Sequence, residues 1–329
     1  MDFYKSFKQK LFQQAESQFD QLALSLFQYQ AENNLVYKEY LMHLGIQPNN
    51  IKRIEDIPFL PISFFKTQKI KTGIWQEEKI FESSGTTGQT TSQHYVRDVE
   101  GYLYNTQKIF SRFYGDLSDY HVFALLPSYL ERDASSLVEM SAYFISQTGS
   151  SLSGFYLDDY EKLVRNLTVA RKSNRKTILI GVTFALLDLV EIYQPDFEGV
   201  VIMETGGMKG RRKELIRKEL HTILKDGFNV STIHSEYGMT ELMSQAYAAK
   251  DGRFLLPPWM RIVIRDLNDP FDAGLINTNG GINVIDLANV DSCAFVETQD
   301  VGRINDDGTF EVLGRFDNSD IRGCNLLVN

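Results

Sequence analysis

Cysteine, long apolar runs and a secretory signal are scarce or missing in this sequence of 329 residues. Its two cysteines, Cys293 and Cys324, cannot build a framework of disulfides, which predicts a reducing, cytoplasmic setting. No stretch reaches the roughly 18 apolar residues that a membrane helix requires. The first five residues also lack the basic-then-apolar order of a secretory signal. We therefore expect a cytoplasmic globular protein without membrane insertion.

Positive charge and metal-ligand patterns are scarce as well. Asp and Glu outnumber Lys and Arg by 43 to 34, so the formal net charge is −9 and no nucleic-acid partner is expected. The five histidines have no zinc-ligand spacing, and neither HExxH nor CxxC occurs. The G-x-S-x-G turn of serine hydrolases is missing too. These patterns argue against a zinc enzyme and against an ordinary serine hydrolase.

The N-terminal part of the chain has a helical pattern. Residues 1–77 are predicted to be a helical segment packed on the core, because Phe19, Leu22 and Leu26 fall on one helical face. Within it, the two prolines of the stretch 56–61 interrupt the helical pattern. That stretch is expected to run extended over the surface of the residues after it.

Residues 78–255 alternate short apolar runs with amphipathic stretches. This alternation predicts an α/β core in which helices cover both faces of a parallel-rich sheet. The expected strands are His121–Leu126, Thr177–Val182, Val200–Glu204 and Val230–His234, and the expected helices include Ser136–Thr148, Phe184–Tyr193 and Arg211–Leu224.

Residues 256–329 have a different sequence pattern, which predicts a small, β-rich, antiparallel subdomain. Its β-like runs are separated by Asn-Gly, Asp-Gly and Gly-Gly turns; they are Arg261–Leu267, Ile282–Leu287, Ala294–Glu297 and Phe310–Leu313.

The loop Ser83-Ser84-Gly85-Thr86-Thr87-Gly88 is the most informative segment. Six small residues in a row offer backbone N–H and hydroxyl donors with little bulk, which suits a polyphosphate. Gln89 stands where a Walker A lysine would follow Gly88, so the loop is not of that type. Taken alone, the same composition also fits a flexible linker.

Three segments further along the chain carry polar groups suited to a nucleotide. Glu241 follows a Tyr-Gly turn and offers oxygen to a hard cation. Asp300, predicted to lie in a turn, offers a carboxylate to the paired hydroxyls of a ribose. Arg315 offers a cation to phosphate or ribose. Singly, a helix cap, a hairpin turn and a surface ion pair explain them equally well.

In this order, the motifs SSGTTG, YGMTE, TQDVG and GRFD resemble those of the adenylate-forming superfamily, which includes acyl-CoA synthetases, peptide-synthetase adenylation domains and luciferases. The resemblance covers residues 78–329. It implies an acyl-activating enzyme with ATP and Mg²⁺ as cofactors, built on the N-terminal core of that superfamily.

The resemblance also implies a role for each matching residue. The ATP phosphates would be held by the loop residues Ser83, Ser84, Gly85, Thr86, Thr87 and Gly88. Adenine would be packed between Gly206 and Gly207 on one face and Tyr237 and Gly238 on the other. Asp300 would bind ribose, and Arg315 would contact ribose and phosphate. Glu241 would bind Mg²⁺ with Thr240 beside the phosphate and the acyl group. Asp317 would fall at the hinge of the superfamily.

The sequence departs from the superfamily at its C-terminal end. A full-length member continues with a lid domain that carries a catalytic lysine, whereas this sequence stops 12 residues after Asp317, so the lid is expected to be absent. This ending and the segment Leu126–Arg132 look most like the acyl-protein synthetase branch, which serves the fatty-acid reductase complex of luminous bacteria. That resemblance implies a fatty-acid substrate and an acyl reductase subunit or acyl carrier as partner.

Cys324 is the residue that this branch would acylate. A thiolate attacks a mixed anhydride well, and Arg322 would favour the thiolate form. A lone cysteine in the run CNLLV is equally typical of a small core residue. Cys293 is predicted to be structural.

Two other functions stay open on the sequence alone. The acyl group could go to coenzyme A or to an acyl carrier protein, or the chain could bind a nucleotide or acyl ligand without catalysis.

Four residues are predicted to lie near the acyl end, beyond a strand's carboxyl edge: Ser128, Tyr129, Glu131 and Arg132. For Arg132, an ion pair with Asp133 at a helix start is the alternative.

Overall fold

The computed structural model describes residues 3–83, 90–127, 134–206 and 215–316. The helices in these ranges are α1 (Phe3–Asn33), α2 (Leu35–His43), α3 (Phe64–Thr67), α4 (Val99–Tyr114), α5 (Ser136–Thr148), α6 (Tyr160–Ala170), α7 (Thr183–Tyr193) and α8 (Arg217–Phe228). The strands are β1 (Leu60–Pro61), β2 (Lys79–Glu82), β3 (Gln93–Val96), β4 (Tyr120–Leu125), β5 (Gly154–Phe155), β6 (Lys176–Val182), β7 (Val200–Thr205), β8 (His234–Tyr237), β9 (Ala246–Ala248), β10 (Met260–Arg265), β11 (Gly280–Asp286), β12 (Phe295–Ile304) and β13 (Phe310–Arg315).

A six-stranded sheet in the order β5-β4-β6-β7-β8-β9 forms the centre of the chain. Its strands pair in parallel except β9, which is antiparallel to β8. Ile178 and Ile180 of β6 join the core on one face, while Leu179 joins the core on the other face. Because both faces are buried, these strands are continuous apolar runs. The predicted α/β class is confirmed.

One predicted strand of this sheet is wrong. The run Val230–His234 was expected to pair, but β8 starts only at His234. Asn229 ends α8 with a φ of 54°, and Val230 then donates its backbone N–H to the Lys225 carbonyl. Residues 230–233 therefore close the helix end and lead to the sheet. The helix predicted from Arg211 begins at Arg217, and residues 211–214 lie outside the described ranges.

A second sheet is built mainly from the C-terminal part. Strands β10, β11, β12 and β13 are antiparallel to their neighbours, as predicted, and β1 adds to β12 in parallel. The stretch around β1 is extended, as predicted, but it does not run over the surface. Ile57, Phe59 and Leu60 are buried, because this stretch packs into the core beside the sheet. The proposed division at residues 78 and 256 stays a prediction.

The predicted N-terminal helices are present as α1 and α2. Phe19, Leu22 and Leu26 of α1 are buried in the core, as their spacing indicates. Asn34 separates the two helices, and its side chain caps α2 by accepting from the Tyr37 backbone N–H. None of the helices described is long and apolar enough to cross a membrane.

Gln30 joins α1 to the far end of the chain. Its fully buried side-chain amide donates to the carbonyls of Asn289 (2.9 Å), Val290 (3.1 Å) and Ser292 (3.3 Å). Its carbonyl oxygen accepts from the backbone N–H of Ala294 (2.9 Å). A single side chain thus satisfies several backbone groups of the turn between β11 and β12.

Replacing Gln30 by leucine should destabilise the protein strongly. The apolar side chain would leave the buried backbone groups of residues 289–294 unpaired, at about 1–3 kcal/mol for each group lost. Urea unfolding followed by circular dichroism measures the loss. Gln13→Leu, on the exposed side of the same helix, is the matched control and should change stability little. Equal stability of the two variants would contradict the role given to Gln30.

Candidate functional site

The carboxyl ends of β7 and β8 form the centre of the candidate site. β7 ends at Thr205, and the next residue, Gly206, has a φ of 65°, which glycine adopts without strain. The Gly206 carbonyl accepts a hydrogen bond of 2.7 Å from Thr183 Oγ1, at the start of α7. Open α/β sheets bind ligands beyond this edge. The strand-end turn expected at Gly206 is therefore observed.

Glu236 is a buried carboxyl at the same edge. Thr205 Oγ1 donates a hydrogen bond of 2.5 Å to Glu236 Oε2. Burial raises the pKa of Glu236 to about 7, and the charge of Glu204 adds to this rise while the Thr205 hydrogen bond opposes it. A Cβ on Gly238 would lie 2.4 Å from Glu236 Oε1. A Cβ at position 238 would therefore force this carboxyl to shift.

Asp300 does not lie in a turn, so that prediction is wrong. Residues Phe295–Ile304 form one strand, β12, which pairs with β11 on one side and with β13 on the other. Gly302, two residues further along β12, serves the close approach of β13. A Cβ at this glycine would lie 2.3 Å from the Glu311 carbonyl oxygen.

Asp300 nevertheless meets two of the other predicted residues. Tyr237 Oη donates a hydrogen bond of 2.9 Å to Asp300 Oδ2, and Arg315 faces Asp300 across β12 and β13 with 4.0 Å between Nε and Oδ1. Burial raises the pKa of Asp300, while the Tyr237 hydrogen bond and the Arg315 charge oppose the rise. The Arg315 side chain is 65% exposed, so this ion pair is weak and the guanidinium is accessible to a ligand.

Thr240 and Glu241 lie in a turn between β8 and β9 that buried side chains hold in place. His94 Nδ1 of β3 donates a hydrogen bond of 2.7 Å to the Thr240 carbonyl. Asn289 Nδ2, beyond the end of β11, donates one of 2.8 Å to the Glu241 carbonyl. Burial lowers the pKa of His94 to about 4, so the ring is neutral near pH 7. Two distant parts of the chain thus fix the turn.

Asp286 holds the backbone just after this turn. Its Oδ2 accepts backbone N–H bonds from Met243 (2.8 Å) and Ser244 (2.9 Å), and its Oδ1 accepts from Ser244 Oγ (2.7 Å). The carboxyl group is fully buried, and burial raises its pKa while these hydrogen bonds lower it. Asp286 is therefore a structural support of the site.

Ser83 and Ser92 close the base of the predicted phosphate loop. Ser83 donates its backbone N–H to the Ser92 carbonyl (3.1 Å), and Ser92 donates its own to Ser83 Oγ (2.9 Å). The Ser92 side chain also lies close enough to Glu241 to lower the pKa of its carboxyl. The base of the loop and the acidic turn therefore converge in space.

Glu241 is a buried acid with cations nearby. Burial raises its pKa, and the Ser92 hydrogen bond and the charges of Arg315 and Lys66 oppose that rise. Within the described ranges, no group of three or more His, Cys, Asp or Glu side chains is arranged to hold a metal ion.

Several predicted site residues lie outside the described residues. They are Ser84, Gly85, Thr86, Thr87, Gly88, Gly207, Asp317 and Cys324, together with Ser128, Tyr129, Glu131 and Arg132 near the expected acyl end. Their assignments stay predictions.

The sequence motifs missed the supporting residues His94, Ser92, Asp286 and Asn289. None of them is part of a motif. His94, Asp286 and Asn289 act through contacts with residues more than 40 positions away, and Ser92 acts through Ser83 at the other side of the loop base. The signal that was available is the polar group inside an apolar run, as in Ile282–Leu287, where Asp286 interrupts the pattern.

Comparison with known proteins gives relatives at low identity. No protein-family profile matches the sequence. The chain is 24% identical over 339 aligned residues to the long-chain-fatty-acid–luciferin-component ligase of Aliivibrio fischeri, and the alignment covers 93% of this chain and 86% of that protein.

Solved structures match the fold. A 2-hydroxyisobutyryl-CoA ligase in complex with 2-HIB-AMP and CoA superposes with a TM-score of 0.69 at 13% identity, over 92% of this chain and 69% of that one. ATP-bound MatB from Rhodopseudomonas palustris has a TM-score of 0.53 at 17% identity, over 72% of this chain. The match spans about half, 47%, of the MatB chain. The expected core fold is confirmed, and the resemblance stated for the sequence is borne out as a likeness to these ligases.

Acid should weaken the support of the Thr240 turn through His94. The folded-state pKa of about 4 lies below the ordinary value of 6.5, so the stability that His94 contributes is present above pH 6.5 and is lost as the pH falls toward 4. The loss should be about 3 kcal/mol. His94→Asn keeps a donor for the Thr240 carbonyl without a titrating ring, so its unfolding free energy should fall less over this range.

Chemical denaturation at several pH values from about 7 to about 4, the range over which His94 gains its proton, measures this difference in unfolding free energy. The matched control His43→Asn removes an exposed histidine and should keep the wild-type dependence. An identical pH dependence of His94→Asn and wild type would contradict the assignment.

Proposed function

We propose that this chain activates a carboxylic acid, specifically a fatty acid, with ATP as the acyl-adenylate and then transfers the acyl group to a thiol. The observation that carries the proposal is the convergence of two segments. Ser92, which is hydrogen-bonded to Ser83 at the base of the Ser/Thr/Gly loop, lies near Glu241, and His94 of the same hairpin holds the Thr240 carbonyl. A triphosphate and its metal need such a pairing of donors with an acidic group.

The nucleoside half of ATP would lie along the edge from Gly206 to Asp300. Adenine would rest against the Gly206 turn and Tyr237, and the ribose hydroxyls would donate to Asp300. The Tyr237–Asp300 hydrogen bond supports this order, because it joins the residue for the base to the residue for the sugar. Arg315 is accessible and faces Asp300, which suits a contact with ribose and phosphate.

Glu241 fits Mg²⁺ as the protein's own ligand. Mg²⁺ is commonly bound by one or two carboxylates together with substrate phosphates rather than by a cage of protein ligands. The buried Glu241 carboxyl, near the base of the loop, matches that pattern. When bound, Mg²⁺ would neutralise charge on the phosphates.

The reaction asks for positioning and charge neutralisation more than for proton transfer. A carboxylate oxygen of the acid attacks the α-phosphorus, the bond from that phosphorus to the bridging oxygen breaks, and pyrophosphate leaves with the electron pair. Thr240, held through its carbonyl by His94, would lie beside the phosphate and the acyl group. A thiolate then attacks the acyl carbon, and AMP leaves.

The acid and the acceptor are inferred from the relative and from the chain's own cysteines. The name of the Aliivibrio fischeri relative specifies a long-chain fatty acid, which favours the same substrate class here. Burial raises the pKa of Cys293 to about 12 and removes it from solvent, so it is unsuited to act as a nucleophile. Cys324 is the proposed acceptor, and an acyl reductase subunit is the proposed partner that takes the acyl group onward.

Replacing Glu241 by glutamine should abolish most of the activation step. The change keeps the shape but removes the charge that holds Mg²⁺, so acid-dependent exchange of labelled pyrophosphate into ATP should fall about 10²–10³-fold. A panel of fatty acids and short-chain acids identifies the substrate. Glu219→Gln, on the exposed side of α8, should keep the wild-type rate. If the wild type binds ATP but supports no exchange with any acid, a role in binding without catalysis replaces this proposal.

Replacing Cys324 by serine should abolish covalent labelling. Wild-type protein incubated with ATP and radioactive fatty acid should become labelled, and hydroxylamine should release the label as expected for a thioester. Cys293→Ala removes the buried thiol and should keep the label. Acyl-CoA or acyl-carrier formation that survives Cys324→Ser would identify coenzyme A or a carrier protein as the acceptor instead.

A further inference from the structure

We propose that the ammonium group of Lys66 binds the phosphates of ATP, which makes Lys66 a catalytic residue from the N-terminal part of the chain. This inference rests on the proposed function. Lys66 belongs to none of the motifs that resemble the superfamily; it lies on the four-residue helix α3, directly after the extended stretch of β1.

The helix that carries Lys66 is fixed on the second sheet. Leu60 and Pro61 pair with Val296 and Glu297 of β12, and Ile62 donates its backbone N–H to the Glu297 carbonyl at 2.9 Å. β12 continues to Asp300, the residue proposed for the ribose. α3 therefore has a defined position relative to the proposed nucleotide site.

The same helix also packs on the hairpin that bounds the phosphate loop. Phe65 is buried, and its ring meets His94 of β3 edge-on with 6.0 Å between ring centroids. His94 in turn donates to the Thr240 carbonyl. A continuous line of contacts thus runs from α3 to the turn that carries Glu241.

Lys66 follows Phe65 directly, so the ring that packs on His94 brings Lys66 to the hairpin that holds the turn of Glu241. Arg315, at the end of β13, faces Asp300 from the second sheet. Cations from two distant parts of the sequence therefore lie beside the proposed nucleotide site. A polyphosphate needs such local cations in a chain of net negative charge.

The Lys66 side chain is also exposed and unpaired in the structure as described. Its neighbours Lys69 and Lys71 both form salt bridges with Glu77, at 3.0 and 2.9 Å, whereas no salt bridge of Lys66 occurs within the described ranges. An ammonium group offers three rotatable donors and a compact charge, which suits phosphate oxygens. Its hydrogen bonds would offset the charge that grows on pyrophosphate as the bond to the α-phosphorus breaks.

The test compares Lys66→Gln with Lys69→Gln, which removes the same charge three positions away but from a residue already paired with Glu77. In pyrophosphate exchange, Lys66→Gln should lower kcat/KM by about 10²-fold, the usual effect of losing one positioned charge-stabilising donor. Its affinity for ATP and for pyrophosphate should fall while its affinity for AMP stays at the wild-type value. Lys66→Arg should recover part of the loss, and Lys69→Gln should match the wild type.

Each result separates this inference from the proposed function. If wild-type protein supports exchange and Lys66→Gln equals it, the inference is overturned and the function stands. If Lys66→Gln weakens the binding of AMP and of ATP equally, or lowers the thermal unfolding temperature together with both affinities, Lys66 supports the fold and the inference is overturned. If wild-type protein binds no ATP, the inference and the proposed function are both overturned. If wild-type protein binds ATP without supporting exchange, the affinities of Lys66→Gln for ATP and AMP still decide the inference.

Discussion

The buried hydrogen bonds around the turn of residues 240–244 are the constraint on which the rest of the site depends. His94 and Asn289 hold the Thr240 and Glu241 carbonyls, and Asp286 holds the backbone just after them. Each partner is buried, so a lost bond leaves a polar group without water to replace it. The turn is therefore rigid. Since its partners come from the β2–β3 hairpin and from the second sheet, it also fixes how those two units face each other.

The electrostatics of the site differ from those of the whole chain. A chain with a net charge of −9 repels a polyphosphate at long range, so any site for one must supply its own local cations and donors. Arg315 and Lys66 supply positive charge beside Glu241. Burial raises the pKa values of Glu236, Glu241 and Asp300. A bound metal ion would favour the charged form of Glu241.

Sequence patterns predicted the fold well where a single physical signal dominates. The parallel strands are apolar runs because both faces of the sheet are buried, and the helix Ser136–Thr148 was predicted to the residue from its amphipathic pattern. Val230–His234 misled because the β-branched residues Val230, Thr232 and Ile233 also suit the connection between the end of α8 and β8. Asp300 was assigned to a turn, whereas it lies within a strand in which Gly302 allows the close approach of β13. His94 and Lys66 carried no local signal at all, since their roles arise from neighbours far away in sequence.

The bonds of Gln30 have a consequence for biosynthesis. Its partners lie 259 to 264 positions later, so α1 cannot complete its contacts until nearly the whole chain has left the ribosome. At about 5–20 residues per second, translation leaves the apolar face of α1 uncovered for tens of seconds. Long-range closures of this kind also fold slowly. We therefore expect the nascent chain to depend on chaperones that shield an amphipathic helix, and its yield in cells to follow their supply.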